Sequence, residues 1–160
     1  MTVLARRVYV AVVGPGADAN PAPELLELAS EIGRGLAAAG AVTVCGGLGG
    51  TMEAVSRGAQ ENGGVCVGLL PGTERSEGNR QLSIALPTGL GQARNSLVVQ
   101  ASDVVIAVGE GYGTLSEIAL ALRVGKHVVA LRTWELGSGH ERMHVAANAA
   151  DAVRIALERA

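Results

Sequence analysis

Two glycine-rich stretches of the chain have the composition of loops that hold a phosphate group. Residues 45–51 read CGGLGGT and residues 109–114 read GEGYGT, and each leads from an apolar run into a segment with helical spacing. Glycine lets backbone N–H groups approach a ligand closely, and the amino end of a helix adds unpaired donors and a positive dipole end. We therefore predict that the two stretches contribute to one site for a phosphorylated small molecule.

Three side chains near these stretches are candidates for direct contact with such a ligand. Arg94 and Asn95 lie within a predicted helix, and arginine suits bidentate contact with phosphate or carboxylate, although a solvated arginine is an equally good interpretation. Glu117 follows Thr114 at the spacing of a helix capping box. The same position would let its carboxylate hold a ribose hydroxyl or act as a general acid or base, and the residues leave both interpretations open.

Other phosphate and cofactor motifs fit less well. No Gly-Lys-Ser/Thr follows either stretch, which argues against a P-loop. Residues 14–19 (GPGADA) loosely match a dinucleotide fingerprint, but the second predicted strand ends without the acid that would hold a ribose. His140 and His144 have helical metal-ligand spacing but no evident third ligand. We predict no metal site and no required cofactor, with a nucleotide or a molybdenum cofactor possible only as the bound ligand.

Composition narrows the class of protein further. The 160 residues carry a net charge of −2 and only 2% aromatic residues, which argues against a nucleic-acid partner. No apolar run reaches membrane-spanning length, residues 1–7 lack a signal-peptide pattern, and two cysteines are too few for a disulfide framework. We expect a cytoplasmic protein with no membrane partner, and a core built from Val, Leu, Ile and Ala.

Strand and helix patterns alternate along the chain. They predict one domain over residues 1–160, an α/β fold with a Rossmann-like doubly wound parallel sheet and helices on both faces. The predicted strand order is 3-2-1-4-5-6, and residues 132–147, which are hard to assign, have room for a short seventh strand. The predicted strands are 8–13, 42–45, 65–70, 83–86, 103–108 and 127–131. The predicted helices are 25–36, 52–59, 91–100, 114–124 and 149–159, the last with Asn148 as its N-cap.

Ligands of such folds bind at the carboxyl ends of the strands, and the glycines cluster at those predicted ends. Tyr112 is the only aromatic residue in a predicted binding loop, so we expect stacking to contribute little. The predicted ligand-binding residues are Gly14, Gly46, Gly47, Gly49, Gly50, Thr51, Arg94, Asn95, Gly111, Tyr112, Gly113, Thr114 and Glu117.

Three segments together resemble a known superfamily. Residues 44–72, residues 88–95 (TGLGQARN) and residues 102–122 (SDVVIAVGEGYGTLSEIALAL) are similar to the Rossmann-like proteins that include the Lonely Guy (LOG) phosphoribohydrolases and the molybdenum cofactor carrier proteins. The short length and the residues of the last two segments resemble the carrier branch most. Relatives are often labelled lysine decarboxylase-like, and nothing in these residues supports decarboxylation.

The two branches imply different functions. The LOG resemblance implies cleavage of the N-glycosidic bond of nucleoside 5′-monophosphates, with Arg94 and Glu117 matching the catalytic arginine and glutamate. However, Gly109-Glu110 stands where Pro-Gly is expected and Asn95 where lysine is expected. The carrier resemblance implies binding of a phosphorylated pterin without turnover, which we favour; a hydrolase and a nucleotide sensor are the alternatives. The resemblance also implies a homodimer or a larger homo-oligomer.

Overall fold

The computed structural model describes residues 6–137 and 140–160. Residues 1–5, part of the segment without a signal-peptide pattern, lie outside this description. The strands are β1 (Tyr9–Val13), β2 (Val42–Cys45), β3 (Val65–Leu70), β4 (Ile84–Pro87), β5 (Val104–Val108), β6 (Val128–Leu131) and β7 (Met143–Val145). The α-helices are α1 (Pro23–Ala38), α2 (Thr51–Glu61), α3 (Asn95–Gln100), α4 (Tyr112–Arg123) and α5 (Ala149–Arg159).

The strands form one parallel sheet in the order β4-β3-β2-β1-β5-β6-β7. The Rossmann-like α/β class is confirmed, and β7 fills part of the unassigned segment. The predicted order is wrong in one place: β4 pairs with β3 at the sheet edge, and β5 takes the position beside β1. The reason is visible in burial, because every residue of β5 is buried, whereas Ile84 and Leu86 of β4 are exposed and Pro87 ends that strand.

Helices cover both faces of the sheet, and the core therefore consists of two clusters, one on each face. On one face α1, α2 and α5 pack on sheet residues such as Val10 and Ile106, and α1 contributes Ile32 to this cluster. On the other face Val98 of α3 and Ile118 of α4 pack on the opposite side of the same strands. The core consists of aliphatic side chains, as the composition predicts.

Glycines bring α1 and α2 into backbone contact. A methyl group added at Gly33 would clash with the carbonyl oxygen of Val55, and one added at Gly58 would clash with that of Ser30. The two helices therefore touch at backbone level, at a separation that alanine would prevent.

One predicted helix differs from the sequence pattern, and one predicted helix end agrees with it. The segment predicted as one helix over 91–100 consists of a 3₁₀ turn (Gly91–Arg94) followed by the short α3. Gly91 has a φ of +55°, outside the α-helical region, so the α-helix does not begin there. At α5 the prediction is confirmed: the Asn148 side chain accepts a hydrogen bond of 2.9 Å from the backbone N–H of Asp151.

Two pairs of polar side chains lie close together on neighbouring segments of the sheet. Cys45 and Cys66 are buried free thiols on neighbouring strands, with sulfur atoms 3.9 Å apart. His144 pairs with His127, with 2.9 Å between Nε2 and Nδ1. Within residues 6–137 and 140–160, no group of three or more His, Cys, Asp or Glu side chains could hold a metal ion. In the same residues, no helix has both the length and the hydropathy to cross a bilayer.

Candidate functional site

A cleft of about 630 Å³ lies at the carboxyl edge of the sheet, between the ends of β1, β2 and β5. This is the edge at which doubly wound sheets bind ligands. The cleft is lined by Val12, Val13, Gly14, Pro15, Gly16, Ala17, Asp18, Ala19, Gly46, Leu48, Gly49, Met52, Gln92, Arg94, Asn95, Gly111, Tyr112, Gly113, Thr114, Ser116 and Glu117.

The structure brings together most of the predicted site residues. Of the thirteen, all except Gly47, Gly50 and Thr51 line the cleft. The lining residues that sequence reasoning missed lie mainly in the turn after β1, in the Ala17–Ala19 3₁₀ turn, and at isolated positions such as Met52 and Gln92. For the turn after β1, the sequence Gly14-Pro15-Gly16 at the end of the strand could have predicted these lining residues. Glu110, whose charge conflicted with a phosphate site, is exposed and is not a lining residue.

The three predicted residues outside the cleft support its floor. Thr51, at the start of α2, donates from both its backbone N–H and its hydroxyl to the carbonyl oxygen of Pro15, at 3.1 and 2.8 Å. Gly50 has a φ of +69° and packs directly on the backbone of the turn after β1. The carbonyl oxygen of Gly47 accepts hydrogen bonds from the backbone and side chain of Asn79. These contacts hold the β1 and β2 loops together.

Arg94 is a buried cation on one side of the cleft, with 5% of its surface exposed. Its Nη2 donates to the carbonyl oxygen of Gly46 (3.2 Å), and its Nη1 donates to Oδ1 of Asn95. Asn95 is held in turn by Ser116, to whose hydroxyl its Nδ2 donates (3.3 Å). Burial lowers the pKa of Arg94, but a guanidinium keeps its proton at any physiological pH. The solvated-arginine interpretation is therefore wrong.

Glu117 is a buried carboxyl group in the same cleft, with 6% of its surface exposed. Burial raises its pKa to about 8; nearby Arg94 acts in the opposite direction. The capping-box interpretation is wrong, because α4 begins at Tyr112 after the extended residue Gly111, and no side chain caps it. Thr114 consequently lies inside the first turn, and Glu117 one turn further along faces the cleft.

Buried polar atoms in the cleft lack partners. Among residues 6–137 and 140–160, the Nε of Arg94 and the hydroxyl of Thr114 are two of the four buried side-chain polar atoms without a hydrogen-bond partner, together with the hydroxyls of Thr43 and Thr133. An unpaired buried donor costs about 1–3 kcal/mol, which a ligand acceptor would recover. The first-turn N–H groups of α2 and α4 add further donors and positive potential. The cleft is thus suited to an anion.

An aromatic pair lies at the rim of the cleft. The Tyr112 side chain is 85% exposed, and its ring stacks on Trp134 with 6.0 Å between centroids and 29° between planes. The indole N–H of Trp134 donates to the carbonyl oxygen of Gly111 (3.1 Å). Trp134 comes from the segment that sequence analysis could not assign. It packs behind Tyr112, which is the one aromatic residue among those that line the cleft.

A parallel sheet with this strand order and helices on both faces defines a Rossmann-like α/β protein, and the cleft lies at the carboxyl edge of that sheet. The SLOG cluster4 family matches residues 7–157, and the chain belongs to that family. It is 42% identical over 125 residues to an uncharacterized protein of Archaeoglobus fulgidus, a match that covers 78% of this chain and 80% of that protein.

Two solved structures are similar over nearly the whole chain. The molybdenum cofactor binding protein of Rippkaea orientalis is 35% identical with a TM-score of 0.88, covering 96% of this chain and 97% of that one. The molybdenum cofactor carrier protein of Chlamydomonas reinhardtii is 36% identical with a TM-score of 0.85, covering 96% and 98%. These similarities confirm the resemblance to the superfamily of LOG and molybdenum cofactor carrier proteins.

Proposed function

We propose that this protein binds or carries a phosphorylated small molecule, nucleotide-like or of the molybdopterin type, in the cleft at the carboxyl edge of its sheet. The observation that carries the proposal is the buried donor set formed by Arg94 and Thr114, whose Nε and hydroxyl lack partners among the described residues. Similarity to proteins described as binding or carrying molybdenum cofactor supports it.

The chain offers two places for the phosphate. One is the amino end of α4, where Gly113 and Thr114 present first-turn N–H groups beside the Thr114 hydroxyl. The other is the loop that leads through Gly46 and Gly49 into α2. A molybdenum cofactor fits this donor set through its phosphate, and this chain would hold it as cargo. With its pKa raised to about 8, Glu117 is mostly protonated at neutral pH and below, so it adds little repulsion there.

Hydrolysis of a nucleoside 5′-monophosphate is the second candidate function. It is favoured by one observation: Arg94 and Glu117, which match the catalytic pair of the LOG enzymes, line the same cleft. In this chain, however, the guanidinium of Arg94 already bonds to Gly46 and Asn95. Asn95 stands where those enzymes carry lysine, and we therefore favour binding without turnover.

Purified full-length protein is expected to bind AMP, N6-modified AMP or a pterin monophosphate without steady release of products. Ligand at 100 times Kd would stabilise the fold by about 2.7 kcal/mol, which thermal melting detects. Arg94→Ala is expected to weaken binding about tenfold or more, since hydrogen bonds to charged groups contribute about 1.5–3 kcal/mol. Arg57→Ala, at an exposed position of α2, is the matched control and should bind normally.

Product analysis separates the two candidate functions. Free base and ribose 5-phosphate are measured over many turnovers in the same samples. Steady release that disappears in both Arg94→Ala and Glu117→Ala would establish the hydrolase and overturn the carrier. Failure of all three ligands to stabilise the protein would contradict the proposed site itself.

We also propose a homo-oligomer that uses the apolar surface beside α3. Ile84 pairs in register with Val67, which packs in the α3 and α4 half of the core, so the exposed Ile84 and Leu86 lie on that side of the sheet. Leu97 of α3, 38% exposed, lies on the same side.

Light scattering coupled to gel filtration is expected to show a dimer or a larger assembly. Leu97→Asp should shift the protein toward monomer, because a charge in an apolar contact is costly. Val145→Asp, on the exposed edge strand β7, serves as the control and should leave the mass unchanged. A wild-type monomer at high concentration would contradict this prediction.

A further inference from the structure

We propose that Tyr112 is a stacking platform for the planar heteroaromatic ring of the ligand, with Trp134 as the residue that positions it. This inference rests on the proposed function, because it requires a phosphorylated ligand in the same cleft. It adds the residue that recognises the flat ring of such a ligand, as distinct from its phosphate-bearing group.

The exposure of Tyr112 is the first argument. Tyr112 is 85% exposed, although it lines the cleft and the chain contains only three aromatic residues. An aromatic side chain buries about 150–250 Å² when it is covered, so such exposure leaves a large favourable contact unused. Tyrosine is one of the residue types enriched among those that dominate binding contacts, and this ring at the cleft is free to make one.

The support behind Tyr112 is the second argument. Trp134 stacks on Tyr112, and its indole N–H bonds to the carbonyl oxygen of Gly111, the residue immediately before Tyr112. The hydrogen bond fixes the indole to the loop that presents the tyrosine. Since Tyr112 remains 85% exposed in this pair, most of its ring is left for another planar group.

Position along the chain is the third argument. Tyr112 is the first residue of α4, and the phosphate donors Gly113 and Thr114 follow it in the same helical turn. A phosphate held at this helix end places the rest of its molecule close to Tyr112. The cleft volume of about 630 Å³ lies in the range of small-molecule sites, about 300–1,000 Å³, and exceeds what a phosphate alone requires.

The test compares ligands that share a phosphate and differ in the ring. Titration calorimetry on the full-length protein measures Kd for AMP, for neopterin monophosphate and for ribose 5-phosphate, which lacks a ring. We expect at least one ring-bearing ligand to bind more tightly than ribose 5-phosphate. The comparison of AMP with neopterin monophosphate then identifies the kind of ring that the site prefers. Stacking contributes about 1–3 kcal/mol per ring, so Tyr112→Ala should reduce the affinity ratio about 5- to 140-fold.

Conservative and control variants make the result specific. Tyr112→Phe should keep the ratio, because it keeps the ring. Trp134→Ala should lower the ratio and, because Trp134 packs against the core, also the melting temperature. Trp134→Phe should restore part of the ratio. Tyr9→Ala is the matched control: Tyr9 is 41% exposed and starts β1 at the opposite edge of the sheet.

Fluorescence provides an independent measurement, since Trp134 is the only tryptophan of the chain. A ring-bearing ligand should change its emission, whereas ribose 5-phosphate should not. This inference is overturned if ribose 5-phosphate binds as tightly as both ring-bearing ligands. It is also overturned if Tyr112→Ala leaves the affinity ratio intact and instead dissociates an oligomer. In both cases the proposed phosphate site stands. If none of the three ligands binds, the proposed function fails and this inference falls with it.

Discussion

Gly50→Ala is expected to destabilise the protein by roughly 4 kcal/mol or more and to abolish ligand binding. A methyl group on Gly50 would lie 2.6 Å from the carbonyl carbon of Gly16, 2.7 Å from the nitrogen of Ala17 and 2.7 Å from the carbonyl oxygen of Pro15. These are backbone atoms, which cannot rotate away. The turn after β1 would have to separate from the amino end of α2, and the cleft would lose its floor.

Gly40→Ala is the control that separates steric clash from backbone strain. Gly40 has a φ of +73°, close to the +69° of Gly50, but an added methyl group would meet nothing within 4 Å. Its expected cost is therefore only that of the left-handed conformation, about 1–2 kcal/mol. Urea unfolding of the two variants measures the difference. Equal losses of stability would show that the contact between Gly50 and the β1 turn has no special role.

Glu117→Gln is expected to stabilise the folded protein, increasingly so as the pH rises from about 5 to 8. Burial raises the pKa of Glu117 from 4.5 to about 8, so the folded state keeps a proton that the unfolded chain releases. The unfolded state binds fewer protons over this interval, and wild-type stability must fall as the pH rises. A tenfold difference in proton affinity corresponds to about 1.4 kcal/mol, so the gain at pH 8 reaches several kcal/mol.

The measurement is a series of urea unfolding curves between pH 4 and 9. Glutamine keeps the shape of the side chain and does not ionise, so the variant should lack the wild-type decrease between the two pKa values. Glu53→Gln, at an exposed position in the first turn of α2, is the matched control. A difference between wild type and Glu117→Gln that is constant across this range would contradict burial as the cause of the raised pKa.

Much of the fold was predictable because the residue types of the central strands identify them as buried strands. The runs VYVAVV and DVVIAV are apolar and β-branched, end in glycine, and form β1 and β5 at the centre of the sheet. The position of β4 was not predictable in the same way. A four-residue strand fits either beside β1 or at the edge, and the choice depends on packing against β3, which no local pattern encodes.

The candidate site, like the fold, was predictable from the sequence only in part. Glycines after strands were enough to predict the cleft, because parallel strands end at one edge. Whether Glu117 caps a helix or faces the cleft depended on where α4 begins, and helix ends are the least certain part of a sequence pattern. Trp134 lies in a segment without periodicity, and only tertiary packing brings it to Tyr112. Ligand binding by these residues, the extent of the domain and the cytoplasmic location stay predictions.

The backbone contact between α1 and α2 determines which wall of the cleft can move. Gly33 and Gly58 bring the helices so close that neither can slide past the other without collision, so α1, α2 and the loop that enters α2 form one rigid unit. Any closure around a ligand must therefore come from the opposite wall. That wall is the Gly109–Gly111 turn, which is tied to residues 132–137 by the hydrogen bond from Trp134. Any such closure would bring this exposed side of the protein toward a wall that stays fixed.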